Sequence, residues 1–160
     1  MRSVTVLCVG KLKEKYWRDA VAEYEKRLSA FCRLSVVEVD EERLPESPSP
    51  AQIAQTLQAE GKRLLARVPQ GAAIYALCIE GKELSSPALA ESLDRLAVDG
   101  CSHTVFIIGG SWGLSDEVKA AARFRLSMSP MTFPHQLARV MLLEQIYRAA
   151  QISSGGKYHK

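Results

Sequence analysis

What this chain of 160 residues lacks narrows its function early. No apolar run approaches the roughly 18 residues that cross a bilayer. The opening MRSVTVLCVGKLKEK has an apolar run of only about six residues, with charged sequence after it and no small-residue cleavage pattern, unlike a secretory signal. A cytoplasmic protein with no membrane contact is expected. Cysteine is sparse: four residues, at 8, 32, 78 and 101, with no C-x-x-C pair and no Cys/His cluster at zinc spacing. The expectation is four reduced thiols and no metal site. A Walker A pattern is absent, because no G-K-S/T follows the glycines. G-x-G-x-x-G is absent too: the one glycine-rich loop reads G-G-x-x-G and follows a late strand. P-loop nucleotidases and Rossmann dehydrogenases are thereby disfavoured.

Acidic residues are also missing from one region. Between 121 and 160 there are six cations, Arg123, Arg125, Arg139, Arg148, Lys157 and Lys160, and one acid, Glu144. That quarter carries +5, whereas the whole chain carries +3. Such asymmetry marks a candidate polyanion-facing surface, although a basic surface without a specific partner has the same composition.

What is present is an ordinary globular composition, 47% hydrophobic and 24% charged, of a size for one domain, 1–160. Short β-rich runs alternate with helical patterns. Ser3–Val9 reads as a strand, and Tyr16–Leu28 as a helix with Trp17, Ala20, Val21, Tyr24 and Leu28 at spacings of three and four. Leu34–Val39 is the next strand. The proline-rich DEERLPESPSP follows as a loop, and Ser49 with Gln52 forms a capping box for a helix from Pro50 to about Arg67. Then come a strand Ala72–Ile79, a helix opened by Ser86-Pro87, and a strand Thr104–Ile108. A short helix Asp116–Ala122 capped by Ser115, a strand Phe124–Met128 and a long helix from about Pro134 to Ile152 complete the order. The pattern predicts an α/β fold: a mostly parallel sheet with helices on both faces. The last helix has an apolar stripe (Val140, Leu143, Tyr147 and Ala150, widened by Met141, Leu142 and Ile146) too broad for one sheet face, which suggests a homodimer interface.

In open α/β sheets, ligands bind at the carboxyl ends of strands. Three loops lie there: Leu77–Lys82, Gly109–Leu114 and Met128–His135. Glycines at 109, 110 and 113 allow close backbone approach to a ligand, or serve only chain reversal. In the third loop Met128, Met131 and Phe133 either wall a base or pack in the core. His135 and Arg139 are four apart and share a face at the start of the last helix. His103, opening a strand, reads as structural.

With these loops in view, the sequence resembles SPOUT-class RNA methyltransferases, most closely the ribosomal RNA large subunit methyltransferase H family. The matching stretches are VGKLKEKYW, EYEKRL, LCIEGK, FIIGGSWGLS, LSMSPMTFPHQLARVMLLEQIYRA and the terminal YHK, in order over nearly the whole chain. The resemblance implies a C-terminal trefoil knot at about 72–160, an exception to the rule against knotted chains. It implies a homodimer and S-adenosylmethionine as methyl donor. Leu77, Gly109, Met128, Ser129, Pro130, Met131, Thr132 and Phe133 would contact that cofactor, Met128 and Pro130 mainly through backbone. Trp112 is assigned no role. The implied substrate is a pseudouridine of large-subunit ribosomal RNA, methylated at N3 on the assembled ribosome.

Loss of the N3 proton needs a general base or a cation that stabilises the imidate. His135 and Arg139 are the nearest candidates: His135, or else His159, for proton removal, and Arg139 for electrostatic stabilisation or phosphate contact. Tyr158 and His159 in the tail are the next, reaching across a dimer. Arg123, Arg125, Arg148, Lys157 and Lys160 would contact phosphates. The alternative is a non-catalytic ribosome- or RNA-binding factor on the same scaffold.

Overall fold

The segment RSVTVLCV has one charged residue, at its start, and apolar side chains on both faces, which suits a strand covered on both sides. In the computed structural model, which describes residues 1–160, it is β1 (Arg2–Val9), buried from Val4 onward. The chain continues through α1 (Lys15–Leu28), β2 (Cys32–Val39), α2 (Pro50–Leu65), β3 (Ala73–Glu83), α3 (Ser86–Val98), β4 (His103–Ile108), α4 (Asp116–Ala121), β5 (Phe124–Ser127) and α5 (His135–Ser153). All four strand pairings are parallel, in the order β2-β1-β4-β3-β5. The α/β fold with a parallel sheet is the one the alternation predicted.

Side-chain alternation along β1 divides the core. Val4, Val6 and Cys8 join the layer containing α1, α3 and α5, whereas Leu7 and Val9 join the layer of α2 and α4. Both faces of the sheet are covered. All four cysteines are free thiols. Burial pushes the Cys8 thiol up to about 12, so it behaves as a small hydrophobe. No helix is long and apolar enough to cross a membrane. His103 Nε2 lies 2.8 Å from Thr5 Oγ1, a bond that ties β4 to β1.

Local signals account for the helix starts. Ser49 and Gln52 form the expected capping box, with Ser49 N donating to Gln52 Oε1 at 2.8 Å and Gln52 N to Ser49 Oγ at 3.2 Å. The cap of α3 differs from expectation. It is Ser85, whose Oγ accepts from Ala88 N at 3.2 Å, and Ser86 is the first helical residue. Ser-Ser-Pro offers two capping hydroxyls, and the Ser86 hydroxyl donates instead to Gln145 Oε1 of α5 at 2.6 Å.

β3 is also longer than expected, running to Glu83 and not ending at Ile79. The reason is a slip in register: Leu77 and Lys82 both pair with Leu126, so Cys78–Gly81 bulge from the ladder. Gly81 permits this, since a Cβ there would stand 2.7 Å from the Arg125 carbonyl oxygen of β5. The apolar width of α5 is used in large part within the chain. α5 packs along both α1 and α3, burying Leu142, Leu143, Ile146 and Ala149. Tyr147 meets Tyr24 and Phe31 with ring centroids at 6.3 and 6.0 Å. Much of the stripe is therefore covered within the chain.

One path positions the site. β5 lies at the sheet edge beside β3, yet the first turns of α5 reach the ends of β1 and β2. There Arg139 bonds the Gly10 carbonyl and Glu38. Segment 128–134 must cross the carboxyl ends of β3 and β4 to make that connection.

Candidate active site

The crossing segment, the β3 bulge and the glycine loop enclose a cleft of about 860 Å³ at the carboxyl ends of β3, β4 and β5. Leu77, Gly109, Met128, Ser129, Met131, Thr132, Phe133 and His135 all line it. Pro130 belongs to the same loop but is not among the lining residues. Arg139, Tyr158 and His159 lie outside the cleft.

The glycine loop is shaped by its own backbone. Gly110 and Gly113 form a bridge, closed by Gly113 N donating to Gly110 O at 3.1 Å. Gly113 has φ +88°, and a Cβ on Gly109 would stand 2.2 Å from the Gly113 carbonyl oxygen. Both glycines are thus required by the turn, and the turn presents main chain to the cleft. On the opposite wall, Ser127 Oγ donates to Ser129 O at 3.2 Å, and Met131 N donates to Ser129 Oγ at 3.0 Å. These bonds brace the segment after β5. Met128 and Phe133 are half-buried there, and Met131 is exposed.

α5 begins at this wall. Its N-cap is Pro134, which supplies no side-chain cap, so the first amides keep their donors open. The partial positive charge of that end favours anionic groups in the cleft. His135 is half-buried, and its pKa is lowered, first by burial and then by the Arg139 cation, against an opposing pull from Glu41. The imidazole is therefore held neutral below the ordinary histidine value, in the form that can accept a proton.

Arg139 stands one turn further on and is 2% exposed. Nη1 donates to Glu38 Oε2 at 2.6 Å and Nη2 to Gly10 O at 3.2 Å, and Nε has no partner. Leu12 N donates to the same Glu38 oxygen at 3.2 Å. In this setting Arg139 acts behind the cleft, through position and field.

The tail forms a second cluster. Tyr158 Oη donates to Glu144 Oε2 at 2.9 Å, and Arg148 Nε and Nη2 reach Glu144 Oε1 at 2.9 and 2.8 Å. Arg148 Nη1 is 3.3 Å from His159 Nδ1, and its Cζ stands 4.7 Å from the Tyr158 ring centroid. Burial and the Glu144 contact raise the Tyr158 pKa. Glu144 is nine residues beyond His135, about 13 Å along the helix axis. Within one chain, Tyr158 and His159 therefore do not meet His135.

Two features escaped the sequence reading. Glu144 organises the tail, and its only signal was being the sole acid in the last quarter. Lys119 and Glu80 form an ion pair at the cleft wall, joining α4 to the β3 bulge. That contact is between distant segments, and no spacing in the sequence announces it. Several cations of the basic quarter are also engaged: Arg139 with Glu38, Arg148 with Glu144, and Arg123 with Asp99 at 3.4 Å. No group of three or more His, Cys, Asp and Glu side chains is arranged to hold a metal.

A parallel α/β sheet with a ligand-sized cleft of strand-end loops, one of them reached by a crossing segment, is the framework of a small-molecule site. The comparisons specify its class. Residues 2–159 match the family described as "Predicted SPOUT methyltransferase", and the chain belongs to that family. Members of the class transfer methyl groups, generally from S-adenosylmethionine. Among solved structures, the chain is similar to a probable methylase family protein from Haemophilus influenzae Rd KW20. The TM-score is 0.54 at 12% identity, over 98% of this chain and 70% of that one. A protein assigned to the TrmH family of RNA methyltransferases from Porphyromonas gingivalis is matched at TM-score 0.44 and 13% identity, over 90% of this chain and 59% of that one.

Proposed function

We propose that this chain transfers a methyl group from S-adenosylmethionine to N3 of a pseudouridine in large-subunit (23S) ribosomal RNA. It would act as a homodimer on assembled ribosomes in the cytoplasm, with its C-terminal half threaded as a knot. The observation that carries the reading is the convergence of the three strand-end loops on one cleft of about 860 Å³. That size lies within the usual range for small-molecule sites, roughly 300–1,000 Å³. The substrate is supported by the motif match, above all LSMSPMTFPHQLARVMLLEQIYRA and the YHK ending.

The lining fits a nucleoside with an amino-acid arm. Leu77, Met128 and Phe133 offer apolar walls, Ser129 and Thr132 bring hydroxyls, and the Gly109 turn offers bare main chain. When bound, the cofactor supplies an electrophilic methyl on a sulfonium. The protein's task is to hold the acceptor in line at about 3–3.5 Å and to remove the N3 proton. His135, neutral and at the cleft wall, takes that proton on an imidazole nitrogen. Burial, with the Arg139 cation behind it, keeps His135 neutral, and Arg139 fixes the start of α5. Tyr158 and His159 lie about 13 and about 20 Å along α5 from His135, so they serve a cleft only when a second copy brings them to it.

The experiment is a comparison of ribosomal RNA nucleosides, by mass spectrometry, from cells with and without the gene. One methylated pseudouridine of the large-subunit RNA should disappear with the gene and return with a plasmid copy. An unchanged profile rejects the reading. If purified protein then binds ribosomes but shows no heat on titration with S-adenosylmethionine, a non-catalytic binding factor takes its place.

A further inference from the structure

Six large apolar side chains of this protein are exposed: Met1, Tyr16, Ile79, Val98, Trp112 and Met131. Met1 is a chain end, Tyr16 leans on Trp17 at 5.1 Å between centroids, and Val98 ends α3. The other three come from three separate loops: the β3 bulge, the glycine turn and the segment after β5. All three line the same cleft. Trp112 is 52% exposed and sits in the turn pinned by the Gly110–Gly113 bridge. Its indole contrasts with the rings of Tyr24, Tyr75, Tyr147 and Tyr158, each of which has an aromatic neighbour. A cation stands close by. Lys119 on the cleft wall is paired with Glu80, whereas Arg125 is exposed, with its Nε donating to the Lys119 carbonyl at 3.3 Å.

We infer that Trp112, with Ile79 and Met131 beside it, is the seat on which an unpaired nucleotide of the acceptor RNA stacks at the mouth of the cleft. The inference rests on the methyltransferase reading and adds the acceptor subsite to it. A donor occupies the depth of the cleft, so the atom that receives the methyl must enter past the rim. The rim holds a flat π-surface on a turn closed by the Gly110–Gly113 bridge, which matches the face of a splayed-out base. Arg125 lies beside the cleft wall, where the backbone of that nucleotide would need a cation. A second copy of this chain would bring apolar side chains to the same rim without needing that cation.

Labelling with 5-fluorotryptophan gives two fluorine resonances, since the chain has two tryptophans, and Trp112→Phe assigns them. A single-stranded RNA containing pseudouridine should shift the Trp112 resonance and leave that of Trp17 in place, whereas the same RNA in a duplex should not. In kinetics on ribosomes from cells lacking the gene, Trp112→Ala should raise the acceptor KM about tenfold. Trp112→Phe should recover most of that loss, and the cofactor Kd and the molecular mass in solution should stay as in the parent.

Four results would overturn the inference. They are an unchanged acceptor KM in Trp112→Ala, a weakened cofactor Kd (the indole then serves the donor), a fall to monomer (a second copy then covers it), or an RNA response confined to Trp17. Failure of the underlying reading looks different: the parent protein itself would neither bind S-adenosylmethionine nor methylate ribosomes, whatever Trp112 does with RNA.

Discussion

Arg139 and Glu38, 101 positions apart in sequence, meet at 2.6 Å and so fasten the first turns of α5 to the end of β2. The bond holds the far end of the segment that crosses the cleft, and with it His135. Glu38 keeps a third of its side chain in water, and Arg139 almost none. Glu38→Ala leaves the guanidinium buried with only the Gly10 carbonyl as a partner. A loss of about 2–3 kcal/mol is expected, below the ~3–5 kcal/mol of a fully buried pair. Urea unfolding measures it. Replacing both residues together, Glu38→Leu with Arg139→Met, should recover part of the loss because no uncompensated charge remains.

The pH dependence of methyl transfer follows from His135. Burial and the Arg139 cation both disfavour the charged imidazole, so its pKa lies below the ordinary histidine value. The rate should fall as pH drops through that lowered pKa and be level above it. Removing the cation with Arg139→Met moves the acidic limb to higher pH, towards the ordinary value. His135→Ala should slow the reaction roughly 10²–10⁴-fold and abolish the limb. The same sign applies to stability: the neutral form is favoured on folding, so His135's contribution is present above the unfolded pKa and lost as pH falls through the folded one. The rate profile and an NMR titration of His135 test the two parts.

The glycine loop makes two separable predictions. Gly109→Ala puts a methyl 2.2 Å from a backbone oxygen that cannot swing away, so the turn must open. A loss of about 1–3 kcal/mol is expected, together with weakened cofactor binding. Gly113→Ala meets nothing within 4 Å, but its φ of +88° costs an L-residue roughly 1–2 kcal/mol. Thermal melts with and without S-adenosylmethionine should show both variants destabilised. Only Gly109→Ala should lose most of the cofactor-induced rise in Tm.

Much of this fold was legible in the sequence because its signals are local. Strand–helix alternation, the Ser49–Gln52 box and the glycine and Pro-containing turns each depend on neighbours in the chain, and they pointed to the three strand-end loops that line the cleft. The eight residues expected at the cofactor came from the family resemblance, and seven of them line that cleft. What was not legible depends on distant partners. The β3 bulge exists because β5 slips along β3, and neither strand alone reports that. The width of the α5 stripe read as a subunit surface, and the two helices of the same chain that cover much of it, α1 and α3, were not visible locally. The charge run in the last quarter was visible, but its neutralisation by Glu38 and Asp99 belongs to other elements.

The tail allows a test across two chains. Tyr158 and His159 are held by Glu144 and Arg148, about 13 and about 20 Å along α5 from His135. Deleting 158–160 should leave cofactor affinity unchanged while slowing transfer at saturating cofactor. If the tail serves the other copy's cleft, mixing the deletion variant with His135→Ala should restore one working cleft in about half of the dimers, about a quarter of all clefts, by the statistics of random pairing. Two inactive parents and an inactive mixture would place the tail at its own cleft, and a deletion variant as fast as the parent would place it outside the reaction.

The most direct measurement supplies S-adenosylmethionine with an isotope-labelled methyl to the purified protein and to ribosomes from cells lacking the gene, then digests the RNA to nucleosides for mass spectrometry. The expected result is label on N3 of one pseudouridine of the large-subunit RNA, absent with His135→Ala. Label on another nucleoside or on ribosomal protein, or no transfer at all, would contradict the account.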